Sequence, residues 1–320
     1  MSAPQTTKGW TVEGTGSLDC LRFSENLVVP GLKANEVLVK FHAASLNYRD
    51  GHYPLPVKQS VVPGSDGAGE VVAVGSKVTR FEKGAKVITL FSQAHQSGEL
   101  TPEILSSSLG GAIDGTLRQY GVFNEEGLSY MPKNLNYLEA GTLSCAALTA
   151  WNALYGVRPV GAGDWVLTQG TGGVSIAGLQ FAKAAGARVI ATTSSPVKAE
   201  MLKKLGADHV INYKENPNWG DEAKAISGGV KHVIEVGGMT TIKESLNAVS
   251  LGGVVTIIGW VGGSIVVGSR EEFEAMIRAI EAYDIKPVID QKVFKLEELK
   301  EACKYQWDQK HFGKVAIQIE

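Results

Sequence analysis

Cysteine, net charge and long apolar runs are all scarce in this sequence. The three cysteines, Cys20, Cys145 and Cys303, lie far apart, so they form neither a disulfide framework nor a metal cluster, and a reduced, cytoplasmic setting is expected. A formal net charge of -2 argues against a nucleic-acid partner. No apolar run reaches transmembrane length, and the first residues do not begin a signal peptide. We therefore expect no membrane partner.

Metal-ligand spacings, internal repeats and low-complexity linkers are also missing. The six histidines do not follow a metal-binding pattern. What is present is a chain of 320 residues, 44% hydrophobic and 20% charged, as expected for a globular protein. That length accommodates two domains.

The two halves of the chain differ in pattern. Up to about residue 130, short alternating runs between Pro and Gly turns predict an antiparallel or barrel-like region, with strands at Glu36–Phe41, Gly69–Gly75 and Lys86–Phe91. A helix is predicted over Tyr137–Leu154. The following region alternates strands and helices, which predicts a doubly wound parallel sheet with strands at Trp165–Thr168, Arg188–Ala191, His209–Asn212, Lys231–Val236 and Val254–Gly259.

The last part of the chain contains one more candidate edge strand, two helices and a closing strand. These are predicted at Ser264–Ser269, Glu271–Tyr283, Leu296–Trp307 and Lys314–Ile319. Because the parallel sheet is complete before it, the closing strand is expected to return to the first domain.

A glycine-rich turn separates the first two strands of the parallel region. It reads Gly170-Thr171-Gly172-Gly173-Val174-Ser175 and opens a helix. Glycines let the backbone approach a pyrophosphate, and the helix N-terminus offers free N–H groups. A dinucleotide site is therefore predicted, although Ser175 replaces the third glycine of the usual fingerprint. The alternative is a tight turn without a ligand.

The end of the second parallel strand favours NADPH over NADH. An Asp or Glu at this point would hold the ribose 2′-hydroxyl of NAD. Here the chain has Thr193 and Ser194, no acid before Glu200, and Lys198, which suit a 2′-phosphate. Tyr213, at the end of the third strand, is a further candidate. A solvated Lys198 and a packing Tyr213 are the alternative interpretation.

Five stretches together resemble the zinc-independent, quinone-reductase-like branch of the medium-chain dehydrogenase/reductase superfamily. They are Ser45–Asp50, Pro63–Val71, Leu143–Trp151, Gly170–Ser175 and His311–Val315. The resemblance implies an α/β protein with a GroES-like, β-rich catalytic domain and a Rossmann doubly wound parallel-sheet domain. It also implies a cleft between the domains and hydride transfer from a nicotinamide. The expected domains are residues 1–135, completed by 287–320, and residues 136–286.

The resemblance also bears on zinc and on catalysis. The zinc-dependent branch has Cys at the position of Asn47 and His at that of Ser65, so only Cys145 remains of its ligands and a zinc-free protein is expected. Asn47 and Tyr48, with Tyr53 as a third candidate, are then the residues expected to orient the substrate and stabilise an oxyanion. Each of the three could instead be structural. An ion pair between Arg49 and Asp50 is expected to fix their loop.

Further contacts follow from the resemblance alone. Thr149 is expected to hold the nicotinamide carboxamide, and the other implied cofactor-binding residues are Val236, Gly237, Gly259, Trp260, Phe312 and Lys314. An apolar edge at Ile265–Val267 is expected to pair with its counterpart in a homodimer. Segments after Asp50, near Val157 and after Gly263 are shorter than the family pattern. Either they are true deletions or loop residues are missing from the sequence, and we favour the second explanation.

Together these features predict an NADPH-dependent, zinc-free reductase of a small molecule, either a quinone or an α,β-unsaturated carbonyl compound. A zinc-free aldehyde or ketone reductase is the alternative within enzymes, because the fold and cofactor site are the same for both. A non-catalytic, NADPH-binding redox sensor is the alternative of another class.

Overall fold

The computed structural model describes residues 4–51, 57–258 and 267–320. The chain forms two compact units, one made of Met1–Cys145 and Ser269–Glu320, the other of Ala146–Gly268. The expected boundaries differ from these divisions mainly at residues 269–286. There the backbone N–H of Arg270 donates to His95 O at 2.9 Å and Glu281 accepts from Lys133 N at 2.9 Å, so this segment belongs to the first unit.

Strands dominate the first unit, as the alternating pattern predicts. In chain order, its N-terminal part contains β1 (Thr6–Val12), β2 (Leu21–Val28), β3 (Glu36–Ser45), β4 (Asp66–Val74), β5 (Lys86–Thr89), α1 (Pro102–Leu105), β6 (Tyr120–Asn124), β7 (Leu128–Tyr130) and α2 (Tyr137–Ala140).

The prediction of one continuous helix over Tyr137–Leu154 is wrong. The segment comprises α2, a π-helical turn at Leu143–Ala147, and then α3 (Leu148–Tyr155). The break follows from local capping, because the hydroxyl of Thr142 donates to Glu139 O at 2.7 Å and occupies a terminal carbonyl of α2.

The second unit alternates strands and helices. After α3 it contains β8 (Trp165–Gln169), α4 (Gly173–Ala184), β9 (Arg188–Thr193), α5 (Pro196–Lys204), β10 (His209–Asn212), α6 (Trp219–Ser227), β11 (Val230–Glu235), α7 (Ile242–Ala248) and β12 (Val249–Ile257). The last part of the chain adds α8 (Arg270–Ala282), β13 (Phe294–Lys295), α9 (Leu299–Trp307) and β14 (Ala316–Gln318) to the first unit.

The sheet of the first unit is mainly antiparallel. Its main path runs β13-β14-β3-β4-β5-β7, with β6 paired to β3, while β1 and β2 pair with each other. Because β14 pairs antiparallel with β3, the prediction that the closing strand returns to the first domain is confirmed. Apolar side chains of β3 and β4, including Val39, Phe41 and Val71, are fully buried in the core of this unit.

The sheet of the second unit is parallel and doubly wound. Its order is β10-β9-β8-β11-β12 within the described residues. The strand that comes first in the chain, β8, lies in the middle, so the order of strands reverses between β8 and β11. In open sheets of this kind, ligands bind at the carboxyl ends of the strands beside that reversal. The predicted fold class is therefore confirmed.

Candidate active site

The turn after β8 has the geometry that a pyrophosphate requires. Gly170 has a φ of +73°, in the left-handed region that favours glycine, and a Cβ added at Gly170 or Gly172 would meet no atom of the described residues within 4 Å. Gly172 is the N-cap of α4, and no described side chain caps this helix, so the N–H groups of Gly173 and Val174 remain available to a ligand. Thr171 completes the half-buried turn. The described residues therefore fit a dinucleotide.

The structure explains why Ser175 can replace the third glycine. Its hydroxyl donates to Gln169 O at 2.5 Å and ties the first turn of α4 to the end of β8. The close helix-to-sheet approach occurs one turn later at Gly178, where an added Cβ would come within 2.3 Å of Ile234 Cδ1.

Hydroxyl groups gather at the carboxyl end of β9. Thr193 is buried and accepts from Ser195 N at 3.3 Å, while the Tyr213 hydroxyl donates to Ser194 Oγ at 3.1 Å. Lys198 lies in the first turn of α5, where its backbone N–H donates to Ser195 Oγ at 3.3 Å. The structure thus brings Ser194 and Tyr213 together, and it places Lys198 on the helix that follows them.

Thr149 presents an unsatisfied hydroxyl. It lies in the first turn of α3 and is 2% exposed, and its Oγ1 finds no hydrogen-bond partner among the described residues. Buried polar groups are normally hydrogen-bonded, so such a hydroxyl fits a ligand's polar group. A nicotinamide carboxamide offers both a donor and an acceptor.

The loop after β11 is held by residues that the sequence did not single out. Val236 and Gly237 donate their backbone N–H groups to Gln169 Oε1, at 3.1 and 3.2 Å. Gly237 also donates to the Glu235 carboxylate at 2.8 Å. Gln169 and Glu235 are the last residues of β8 and β11. The signal available in the sequence was a polar residue at the end of each of these two apolar strands.

Asn47 lies in a buried polar cluster of the first unit. Lys314 Nζ donates to Asn47 Oδ1 at 2.6 Å and to Leu46 O at 2.6 Å, and it forms an ion pair with Asp66 at 3.0 Å. Because an ammonium group can only donate, the amide oxygen of Asn47 must face Lys314 and the amide nitrogen must face away. That nitrogen has two donors, and its bond to Ser65 Oγ at 3.3 Å uses one of them.

The residues at the zinc-branch positions do not fit a zinc ion. The amide oxygen of Asn47 is bonded to a cation, Lys314, and Ser65 offers only a hydroxyl. Burial is the largest effect on the Cys145 thiol and raises its pKa to about 12, whereas metals bind the thiolate. Among the described residues, no three His, Cys, Asp or Glu side chains form a group able to hold a metal ion.

The loop after Asn47 is fixed differently from the expected ion pair. Asp50 accepts the backbone N–H of Asn47 at 2.8 Å, and burial raises the pKa of its carboxyl. Arg49 instead donates to Leu109 O at 2.6 Å and lies over the Phe91 ring. The expected Arg49–Asp50 ion pair is therefore replaced by contacts to backbone and ring atoms.

The remaining predicted site residues divide into three groups. Tyr48 is 55% exposed at the start of a 3-10 turn. Phe312 is buried and donates its backbone N–H to Asp290 at 2.8 Å, and Lys314 has the contacts given above. The others lie outside the described residues, namely Tyr53, Gly259, Trp260 and most of the Ile265–Val267 edge.

The region of the chain that the structure describes contains no helix long and apolar enough to cross a membrane.

Two family models match the chain, one for each kind of domain. The alcohol dehydrogenase GroES-like domain matches residues 33–133, and the zinc-binding dehydrogenase model matches residues 173–282. A zinc-type alcohol dehydrogenase-like protein of Schizosaccharomyces pombe is 45% identical, with 94% of this chain and 96% of the relative covered.

One further relative and one solved structure extend the comparison. An NADPH-dependent alkenal/one oxidoreductase of Arabidopsis thaliana is 32% identical over 99% of this chain and 80% of its own length. A crystal structure described as an alcohol dehydrogenase from Sinorhizobium meliloti superposes with a TM-score of 0.91 at 36% identity, covering 99% of this chain and all of that one. The chain therefore belongs to the medium-chain dehydrogenase/reductase family of oxidoreductases, whose members bind nicotinamide cofactors.

Proposed function

We propose that this protein is an NADPH-dependent, zinc-free reductase of quinones or α,β-unsaturated carbonyl compounds. The observation that carries the proposal is the amide of Asn47, whose oxygen is held by Lys314 so that its nitrogen remains a hydrogen-bond donor. Such a donor stabilises negative charge on a substrate oxygen without a metal ion. The similarity to a plant alkenal/one oxidoreductase supports the same substrate class.

The nicotinamide, when bound, supplies a hydride. In an α,β-unsaturated carbonyl compound the hydride adds to the β carbon, and the electron pair of the C=C bond moves through the α carbon onto the carbonyl oxygen. Asn47 Nδ2 donates to that oxygen. Solvent or the hydroxyl of Tyr48 then supplies a proton to the α carbon, which leaves the saturated carbonyl compound. A quinone takes up the hydride and a proton to become the hydroquinone.

The preference for NADPH rests on the end of β9. Ser194 and Tyr213 offer hydroxyl groups 3.1 Å apart, and Lys198 follows on α5. No carboxylate stands at the end of this strand to repel a 2′-phosphate. We propose that Thr193, Ser194, Lys198 and Tyr213 surround this phosphate, and that Thr149 receives the carboxamide.

Three further parts of the proposal concern the metal content, the cellular setting and the assembly of the protein. A zinc-free site is supported by the raised pKa of the Cys145 thiol and by the Lys314 ammonium group, which donates to the amide oxygen of Asn47. A reduced, cytoplasmic setting is supported by the three cysteines, which are free and buried. A homodimer through the Ile265–Val267 edge rests on the sequence alone, and a monomeric mass in light scattering at micromolar concentration would contradict it.

The test is a panel of acceptors with purified protein and EDTA. NADPH consumption is followed with a small quinone, an enone, an enal and a simple ketone, with NADH in parallel and the metal content measured separately. We expect consumption with quinone, enone or enal, faster with NADPH than with NADH. Activity on the ketone alone would establish the carbonyl-reductase alternative. NADPH binding without turnover on any acceptor would support the sensor alternative, and loss of activity with EDTA would contradict the zinc-free site.

A further inference from the structure

The carboxylate of Glu235 has no counter-charge in the described part of the chain. Glu235 is fully buried at the end of β11, and its partners there are all uncharged N–H and O–H donors rather than a Lys, Arg or His side chain. A buried charge of this kind is costly unless hydrogen bonds satisfy it. Five donors do so, three on Oε1 and two on Oε2.

The two carboxylate oxygens serve different parts of the unit. Oε1 accepts the backbone N–H groups of Gly237 and Gly238, each at 2.8 Å, and the hydroxyl of Thr241 at 2.5 Å. It therefore shapes the loop after β11. Oε2 accepts from Gln169 Nε2 at 2.7 Å and from the hydroxyl of Ser245 on α7.

Gln169 completes a connection to the phosphate turn. Its Oε1 accepts from Val236 N and Gly237 N, its Nε2 also donates to Ser245 Oγ at 2.8 Å, and its own backbone oxygen accepts from Ser175 in the first turn of α4. The next residue, Gly170, begins the turn that fits the pyrophosphate. One continuous set of hydrogen bonds thus links this turn to the loop at 236–238.

We propose that Gln169 and Glu235 are a pair of positioning residues for the dinucleotide. They fix the spacing between the phosphate turn and the loop after β11 at the reversal of strand order, where a cofactor crosses from one half of the sheet to the other. We expect neither side chain to contact the cofactor, because all four of their polar side-chain atoms are hydrogen-bonded to other groups of the protein. The inference rests on the cofactor-binding part of the proposed function.

We predict that exchanging the two residues restores NADPH binding, because the double exchange preserves every hydrogen bond of the pair. In Glu235→Gln alone, every orientation leaves an NH₂ group facing other donors. The new NH₂ faces either the NH₂ of Gln169 or, if the amide at 235 flips, the N–H groups of Gly237 and Gly238, and if Gln169 flips, its own NH₂ faces the N–H groups of Val236 and Gly237. In Gln169→Glu alone, two carboxylate oxygens meet. In the double exchange, the amide at 235 donates to the carboxylate at 169 and to Ser245, and the oxygens continue to accept the same backbone N–H groups.

The test is NADPH affinity, measured by titration calorimetry, together with the thermal midpoint of each variant. We expect each single variant to bind NADPH at least about tenfold more weakly, equivalent to about 1.4 kcal/mol. The double variant should return to within about threefold of wild type. Glu244→Gln, the same change at another buried carboxylate of this unit, serves as the control and should bind NADPH as wild type does.

The outcomes separate the two proposals. If wild type itself binds no dinucleotide, the proposed function fails. If wild type binds but the single variants bind equally well, or if the double variant remains as weak as the singles, the positioning role is overturned. Should the single variants not fold, Ser245→Ala and Thr241→Val each remove one hydroxyl donor to Glu235. These should weaken NADPH binding several-fold, and unchanged affinity in both would also overturn the inference.

Discussion

Asn47 can act as a donor only because of its neighbours. Lys314 holds the amide oxygen and Asp66 neutralises Lys314, so the direction of the amide is set by a buried ion pair. The role can be tested by a change that keeps the shape and removes the donor.

We predict that Asn47→Asp lowers kcat by about a hundredfold or more with little change in KM, as for loss of an oxyanion-stabilising donor. A carboxylate at this position can still accept from Lys314, so the fold should persist. Asn26→Asp, the same change at an exposed position of β2, is the matched control. Steady-state kinetics with an enone would check the prediction, and equal kcat values for the two variants would exclude Asn47 from the chemistry.

At the end of β9, the proposed preference for NADPH depends on the absence of a negatively charged side chain. We predict that Ser194→Asp lowers kcat/KM for NADPH at least about tenfold, because a carboxylate beside a 2′-phosphate is repelled, whereas NADH use should hold or rise. Ser76→Asp, an exposed position in the first unit, controls for the added charge. The measurement is the ratio of kcat/KM for the two cofactors, and an unchanged ratio would contradict a 2′-phosphate site here.

At the scale of the elements, the turn between β8 and α4 is the place to distinguish a cofactor site from a tight turn without a ligand. Gly172 has an ordinary backbone conformation, with a φ of -79°, and open space where a Cβ would lie. Glycine is therefore not required at this position by the fold.

We predict that Gly172→Ala leaves the thermal midpoint almost unchanged and weakens NADPH binding by about tenfold or more, because the added methyl occupies the approach to the helix N-terminus. Gly31→Ala, also without atoms near its Cβ, is the control and should change neither quantity. Calorimetric unfolding and NADPH titration would check both. Unimpaired binding in Gly172→Ala would favour a turn without a ligand.

Within β11, His232 gives the second unit a pH dependence. The side chain is buried, and burial is the largest cause of its lowered pKa, with Arg158 acting in the same direction and Asp164 against it. Below the ordinary value of 6.5 the unfolded chain binds a proton that the folded chain does not. The contribution of His232 to stability is therefore intact above that pH and decreases as the pH falls below it.

We predict that the free energy of unfolding decreases from pH 6.5 downward, and that His232→Leu makes this decrease shallower. Urea unfolding at a series of pH values would show the difference between wild type and variant. Parallel curves for the two proteins would mean that His232 does not contribute to the pH dependence.

At the scale of the whole molecule, local patterns predicted the fold better than the site. Alternating runs, glycine punctuation and the turn at Gly170–Ser175 indicated both kinds of sheet, because these signals lie within a few residues of one another. The pairing of Asn47 with Lys314 spans 267 residues, and that of Gln169 with Glu235 spans 66. Such contacts depend on the order of strands in each sheet, which no local pattern encodes.

Resemblance supplied part of what local patterns could not. It marked Asn47 and Thr149 for attention. In the structure the ammonium group of Lys314 donates to the amide oxygen of Asn47, and the buried hydroxyl of Thr149 has no hydrogen-bond partner among the described residues. The resemblance gave no sign of the Glu235 connection. It also marked Lys314 for the cofactor, which stays a prediction, and in the structure the ammonium group of Lys314 donates to the amide oxygen of Asn47.

The most direct test of the proposed function is the fate of the transferred hydride. NADPH carrying deuterium at both C4 positions of the nicotinamide would be incubated with the protein, an enone and EDTA, and the product examined by NMR. We expect a saturated ketone with deuterium on the carbon β to the carbonyl. Deuterium on a carbinol carbon, in an unsaturated alcohol, would contradict reduction of the C=C bond and identify the protein as a carbonyl reductase.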